Sequence, residues 1–199
     1  MRTDAGPIAL PRVPGDAGRV LLPLARHAIA VELGRTGAAP DEPSWLREHG
    51  ASFVTLMQAG KLRGCIGTLE ATRELGADVR LNAAGAARRD PRFPPLAASE
   101  LDDLSIEVSV LSPIEALLAR AESEVLKQLR PGTDGVILEY GYHRSTFLPQ
   151  VWHEFPEPDV FLGRLKYKAG LPPDFWDPEL KLSRYTVAKW REDEDAAHD

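Results

Sequence analysis

Proline sets the strongest limit on what this chain can fold into: there are 17 in 199 residues, against 16 glycines. Each proline fixes φ, removes a backbone donor and pushes the preceding residue out of the α region. Where prolines cluster, as in DPRFPP at 90–95, neither a helix nor a central strand can pass. The chain must therefore be assembled from short elements. No stretch approaches the roughly 18–20 apolar residues that span a bilayer.

Between these stops the periodicity is readable. Asp16 can cap a helix reaching about Gly34, with Leu21, Leu24, Ala28 and Val31 on one stripe. Pro23 inside it predicts a kink or a start near Leu22. Residues 35–50 read as a loop carrying Trp45. Residues 52–58 and 61–69 read as a hairpin around Ala59-Gly60. A regular register would place Val54 opposite Cys65, Leu56 opposite Arg63 and Phe53 opposite Ile66. Alternation would then set Arg63, Cys65 and Gly67 on one face. Apolar residues on both faces predict a hairpin internal to its sheet.

Thr72 is the expected cap of a second helix reaching Arg88. Residues 105–111 alternate as a strand, and a short helix is expected over 121–129. A second hairpin, 136–140 with 143–148, would bring Glu139 opposite Arg144. Pro158 opens a helix to about Ala169 with Phe161, Leu162 and Leu165 inward, and Gly170 ends it. Residues 184–190 read as one last strand. The order lacks β-α-β alternation, so the fold class is α+β, a largely antiparallel sheet flanked by helices.

Composition narrows the function classes. The single cysteine excludes an internal disulfide framework and any multi-cysteine metal or iron–sulfur site. The formal charge of −6 is concentrated at one end: Glu192, Asp193, Glu194, Asp195 and Asp199 fall in the last eight residues, which carry no Lys or Arg. The rest is nearly neutral and lacks the basic excess that nucleic acid requires, so nucleic acid is not expected as a partner. The N-terminus has no continuous apolar core of a signal peptide, which together with one thiol predicts a cytoplasmic protein. Residues 1–15 are expected to be a flexible lead-in, 16–190 the folded domain, and 191–199 a solvated acidic tail. No ligand spacing for a metal and no phosphate-binding glycine loop is present, so no cofactor is predicted.

Seven strings in order resemble one family: FVTL at 53–56, LRGCIGTLE at 62–70, RDPRFPPL at 89–96, IEVSVLSP at 106–113, DGVIL at 134–138, TFLPQVW at 146–152 and KAGLP at 168–172. Together they are similar to the AMMECR-type domain, protein A of the AmmeMemoRadiSam system, over roughly residues 16–190. The resemblance implies an α+β fold of two unequal subdomains with a cleft between them. It also implies a genomic association with a Memo-like protein and a radical SAM protein. It carries no established reaction. Pro23 departs from the family's unbroken first helix, and His153 stands where other residues are common, so His153 inherits no role.

The LRGCIG string holds the main functional candidates. Glycines near Cys65 strip side chains from neighbouring positions, so Gly64 and Gly67 would admit a ligand to the thiol. Arg63 could stabilise a thiolate, making Cys65 a nucleophile, redox thiol or single metal ligand. The competing reading is a small buried hydrophobe, with the glycines serving a bulge or tight packing. A covalent mechanism needs an acid or base, and Glu107 is the first candidate. The alternative for Glu107 is a carboxylate facing solvent or paired with Arg63 or Arg88.

Arg88, Arg89 and Arg92 could clamp an anionic group or staple their own loop to Asp90, Glu100 or Asp102. Of these, Arg92 joins the ligand-binding candidates. Asn82 is expected to hydrogen-bond that loop or to pack. Gln150 is the TFLPQVW residue assigned to a site, because its amide is hard to bury unpaired, whereas Phe147 and Trp152 read as core. His143 and His153 have no spacing that links them to Cys65. Two functions are expected from these residues: a small-ligand site with a reactive thiol, or a non-catalytic partner of the Memo-like and radical SAM proteins.

Overall fold

The computed structural model describes residues 13–192. In chain order its elements are helix α1 (Gly18–Glu32), strands β1 (His49–Gly50), β2 (Ser52–Gln58), β3 (Lys61–Gly67) and β4 (Arg73–Glu74), helix α2 (Leu75–Arg88) and strand β5 (Leu104–Leu111). There follow β6 (Glu115–Ala116), α3 (Glu122–Gln128), β7 (Gly135–Tyr140), β8 (His143–Phe147), α4 (Pro158–Lys168), β9 (Lys181–Tyr185) and β10 (Val187–Arg191). Among the described residues, no helix is long and apolar enough to cross a membrane. The fold is α+β, and its chain divides into two compact units: residues 13–111 with 188–192, and residues 112–187.

The first unit is built on a four-stranded sheet in the order β10-β5-β2-β3, with β2 antiparallel to both β3 and β5. Val54, Leu56, Ile106 and Val108 point to one face and are fully buried beneath α1 and α2. The β2–β3 turn is tight because Ala59 and Gly60 both have positive φ, 48° and 74°, as a two-residue type I′ turn requires. β3 lies at the sheet edge, contrary to the internal position expected for the hairpin; of its two strands only β2 is flanked on both sides.

Several sequence expectations for this unit are corrected. Helix α1 runs through Pro23 without a break, and Pro23 is exposed, so water can serve the carbonyl that loses its helical partner. Its N-cap is Ala17, not Asp16, and Val31 is exposed while Ile29 is buried in its place. Helix α2 begins at Leu75 with Glu74 as N-cap, so Thr72 caps nothing. The 35–50 loop contains a 3₁₀ turn, Ser44–Arg47. Glu192, placed in the solvated tail by the sequence, is anchored: it takes the Arg26 guanidinium at 2.6 and 2.7 Å and the Ile106 N–H at 2.9 Å. Arg191, also counted with that tail, ends β10; residues 193–199 and 1–12 lie outside the described residues.

The second unit has a four-stranded sheet, β6-β9-β7-β8, whose core includes Val136, Leu138, Trp152, Phe161, Leu162 and Leu165. Trp152 stacks on Phe161 with ring centroids 3.8 Å apart and donates its indole N–H to the Asp134 carbonyl at 2.7 Å. The β7–β8 hairpin has the expected register, with Glu139 opposite Arg144 and their charges 3.2 Å apart. Gly170 ends α4 at φ +81°. The expected single strand over 184–190 is instead two strands. Thr186 interrupts it, because its backbone turns aside to exchange hydrogen bonds with Ser112.

Candidate functional site

The LRGCIG strand departs from regular pairing at one residue. Leu56 pairs with Gly64 and Met57 with Leu62, leaving Arg63 as the extra residue of a β-bulge. Beyond it the register moves by one: Val54 faces Ile66, Thr55 faces Cys65 and Phe53 faces Gly67. The expected pairs Val54–Cys65, Leu56–Arg63 and Phe53–Ile66 are therefore wrong. Side chains paired across strands share a face. Gly64 and Ile66 thus belong to the helix-covered face, whereas Cys65 lies with Phe53, Thr55 and Met57 on the other.

The same register reaches a third strand, because Thr55 also faces Glu107 on β5. Cys65, Thr55 and Glu107 form a polar row across three strands, on the face away from α1 and α2. Thr55 Oγ1 donates to Cys65 Sγ at 3.3 Å, and the thiol is half-buried. Two strand spacings place Glu107 about 10 Å from Cys65, with Thr55 between them, outside direct proton-transfer reach. Glu107 pairs with Arg191 at 2.5 Å and Lys189 at 3.8 Å on β10, not with Arg63 or Arg88.

The edge of β3 is held by the proline-rich segment that follows α2. Asp90, buried, accepts the Cys65 backbone N–H at 2.8 Å through Oδ2. It also accepts Arg92 Nε at 2.9 Å and Nη2 at 2.7 Å, and Arg92 Nη2 donates to the Cys65 carbonyl at 3.3 Å. The guanidinium of Arg92 and these backbone donors hold the Asp90 carboxyl well below the usual carboxylate range, against the opposing effect of burial. One side-chain pair thus satisfies both outward backbone groups of Cys65, which an edge strand would otherwise leave open.

Arg63 is committed elsewhere. Its guanidinium donates to Glu100 at 2.9 and 3.1 Å and to the Pro94 carbonyl at 3.0 Å, so it anchors this segment instead of stabilising a thiolate. The pairing lowers the Glu100 carboxyl, helped by the Ala97 N–H. The arginines near the turn staple structure: Arg92 to Asp90, and Arg88 to the Glu32 carbonyl at 3.1 Å. Asp102 pairs at 2.8 Å with Arg35, three residues past the end of α1.

The glycines serve packing. A Cβ on Gly64 would lie 2.2 Å from the Ala86 carbonyl oxygen of α2, and one on Gly67 2.1 Å from Phe53 Cδ1. Their flanks are filled by helix and ring, so neither opens a path to the thiol.

Sequence reasoning missed a buried polar cluster where α2 meets the start of β2. Asp78 is fully buried and accepts the Ser52 N–H at 2.9 Å, the Ser52 hydroxyl at 2.7 Å and the Thr68 hydroxyl at 2.7 Å. Asn82 donates to Asp78 and to the Ser52 carbonyl, both at 2.9 Å. Asn82 therefore bonds the strand, not the RDPRF loop. The available signal was Asp78 and Asn82 at i and i+4 on the stripe carrying Val79, Ala83 and Ala86.

Gln150 lies in the second unit, on the 3₁₀ turn Pro149–His153, and its side chain is exposed. The premise for choosing it, an amide that burial would leave unpaired, does not apply. His143 Nδ1 sits 2.8 Å from the Ala169 carbonyl, and His153 is exposed.

Comparison with known proteins gives a consistent picture. A family model described as AMMECR1 matches residues 22–190. A protein of Methanothermobacter thermautotrophicus is 42% identical over 184 residues, covering 89% of this chain and 95% of its own. Protein TK0174 of Thermococcus kodakarensis is 38% identical, covering 92% and 93%. Among solved structures, the uncharacterised protein PH0010 from Pyrococcus horikoshii superposes with a TM-score of 0.78 at 36% identity, covering 90% of this chain and 93% of its own.

Proposed function

This chain belongs to the AMMECR1 family, and from that premise we propose that it binds a small ligand against the Cys65–Thr55–Glu107 face of its first unit. Cys65 acts there as a reactive thiol, in a cytoplasmic modification pathway shared with Memo-like and radical SAM proteins. The observation that carries the reading is the polar row itself. A thiol, a hydroxyl and a carboxylate stand in register across three strands, on the sheet face opposite the helices. A face serving only as core would be expected to present apolar residues at such central positions.

In this reading Thr55 orients the sulfur and Arg92 fixes the strand backbone, its half-exposed guanidinium remaining within reach of an anionic group. Glu107 offers a ligand contact instead of a base for the thiol. Because Cys65 is the single cysteine, alkylation reports on it alone. Iodoacetamide should modify the native chain at a rate comparable to a free thiol at pH 7, read as one added mass. Modification only after denaturation in urea would sink the reactive-thiol reading.

A second reading, a non-catalytic partner of the same proteins, is favoured by apolar groups on this face. Leu62 is 38% exposed beside half-buried Met57, and Phe53, also half-buried, lies further along the same face. Its test is co-purification with a Memo-like protein from the same source; failure to form a complex at micromolar concentration counts against it.

A further inference from the structure

The second unit carries a groove of about 730 Å³ along helix α4, a volume within the range of small-molecule sites. The inward residues of α4, Phe161, Leu162 and Leu165, are fully buried. Its outward stripe is not polar throughout: Val160 is 44% exposed and Tyr167 69%. Six residues of helix lie between them, a rise of about 10 Å, and Gly163 is among these as a floor without a side chain. Pro173 and Asp174 form the opposite wall, with Glu122 from the first turn of α3.

These walls are fastened from behind. Lys166 has no exposed surface, and its ammonium donates to Glu122 Oε1 at 2.7 Å and to the Pro173 carbonyl at 3.2 Å. One buried cation therefore ties α4, α3 and the 171–176 loop together, so the groove is formed before anything enters it. The charge of Lys166 is spent on Glu122. Arg164 also lines the groove, and its guanidinium lies over the Phe155 ring at 5.3 Å.

The groove's other two carboxylates share it with one cation, Arg164. Among the described residues, neither Asp159 nor Asp174 enters an ion pair; Asp159 only accepts the N–H of Val160. The groove thus offers two free anionic groups, an exposed aromatic ring and apolar surface from Val160 and Pro173. The carboxylates suit a cation by charge, and the Tyr167 ring with Val160 and Pro173 suits an apolar body.

We infer that this groove is a binding site for a small primary amine with an apolar body. The ammonium sits between Asp159 and Asp174, and the apolar part lies along Tyr167 and Val160. The site is separate from the Cys65 face and stands or falls independently of it.

The test is a set of titrations into the ¹⁵N-labelled full chain, followed by amide chemical shifts. Three probes share one body: 2-phenylethylamine, 2-phenylethanol and phenylacetate. The expected result is saturable shifts on α4 and residues 171–176 with the amine, at least about tenfold tighter than with the alcohol. Asp159→Asn and Asp174→Asn should each weaken amine binding by up to about fivefold, the range of exposed charge pairs. Both variants are on the surface and should keep the wild-type spectrum elsewhere. Equal binding of the alcohol, tighter binding of phenylacetate through Arg164, or no saturable shift on α4 with the amine would each overturn the assignment.

Discussion

The buried carboxylate of Asp90 accepts the backbone N–H of Cys65 at 2.8 Å, from a loop 25 residues further along the chain. The thiol strand is thereby fixed at its outer edge by the ion pair of Asp90 with Arg92. Asp90→Asn keeps the shape but removes the charge that both Arg92 and the strand require. It should lower unfolding stability by about 1–2 kcal/mol, through the weakened hydrogen bonds of the buried side chain, since half-exposed Arg92 can return to water. Urea denaturation measures the loss. Hydrogen exchange at the Cys65 amide should accelerate beyond the change seen for the sheet as a whole.

Acid should unfold the first unit through the same groups. Asp90 is lowered chiefly by its bond with Arg92, and Glu100 chiefly by Arg63. In the unfolded chain both titrate near pH 4, so below that the unfolded state binds more protons than the folded one. The stability these pairs contribute is present above about pH 4 and is lost as pH falls through the folded values. Urea midpoints between pH 7 and 3 should fall less steeply in Asp90→Asn and Glu100→Gln than in wild type. An unchanged acid slope in both variants would refute this assignment.

The two glycines of the thiol strand should respond unequally to a methyl group. Gly64→Ala drives Cβ into the backbone carbonyl of Ala86, which can move only with α2, and should cost about 3 kcal/mol. Gly67→Ala meets the ring of Phe53 down to its Cγ at 2.2 Å, a half-buried side chain that can clear the methyl by changing rotamer, and should cost about 1–2 kcal/mol. Phe53→Leu should relieve the second substitution and leave the first unrelieved. Thermal melts of the three single variants and the two doubles decide the point.

The buried ammonium of Lys166 predicts an asymmetry in the second unit. Glu122→Ala leaves a charge with no exposed surface facing only the Pro173 carbonyl and, 6.0 Å away, the Trp176 ring, and should cost about 3 kcal/mol. Lys166→Met removes the charge itself, and Glu122, partly exposed, returns to water. That substitution should stay within about 1 kcal/mol of wild type. Denaturant midpoints in which the lysine substitution is the worse of the two would contradict the account.

Local patterns were legible where local rules govern. Both hairpins follow from their turn residues, and α4 follows from Pro158, Gly170 and three inward apolar residues. The bulge at Arg63 was not legible, because alternation across KLRGCIG looks regular and only the approach of Ala86 to Gly64 demands the extra residue. The error carried through to the site, since a shift of one residue changes which side chains meet. Asp90 was read as a staple partner of Arg92, but its grip on the Cys65 backbone spans distant residues and has no periodic signature. Thr55, the residue in contact with the thiol, was hidden because its role depends on the corrected register. Thr186 escaped notice as a break because its partner, Ser112, is 74 residues away.

β10 completes the first sheet beside β5, yet the second unit, residues 112–187, is made between them. During synthesis, β5 leaves the ribosome with one flank bare and must wait for about eighty more residues before its neighbour arrives. Lys189 and Arg191 arrive with it, so Glu107 spends the same interval without the cations that hold it in the finished protein. The polar row on the thiol face is therefore among the last parts of the molecule to be completed, although Cys65 and Thr55 are among the first made.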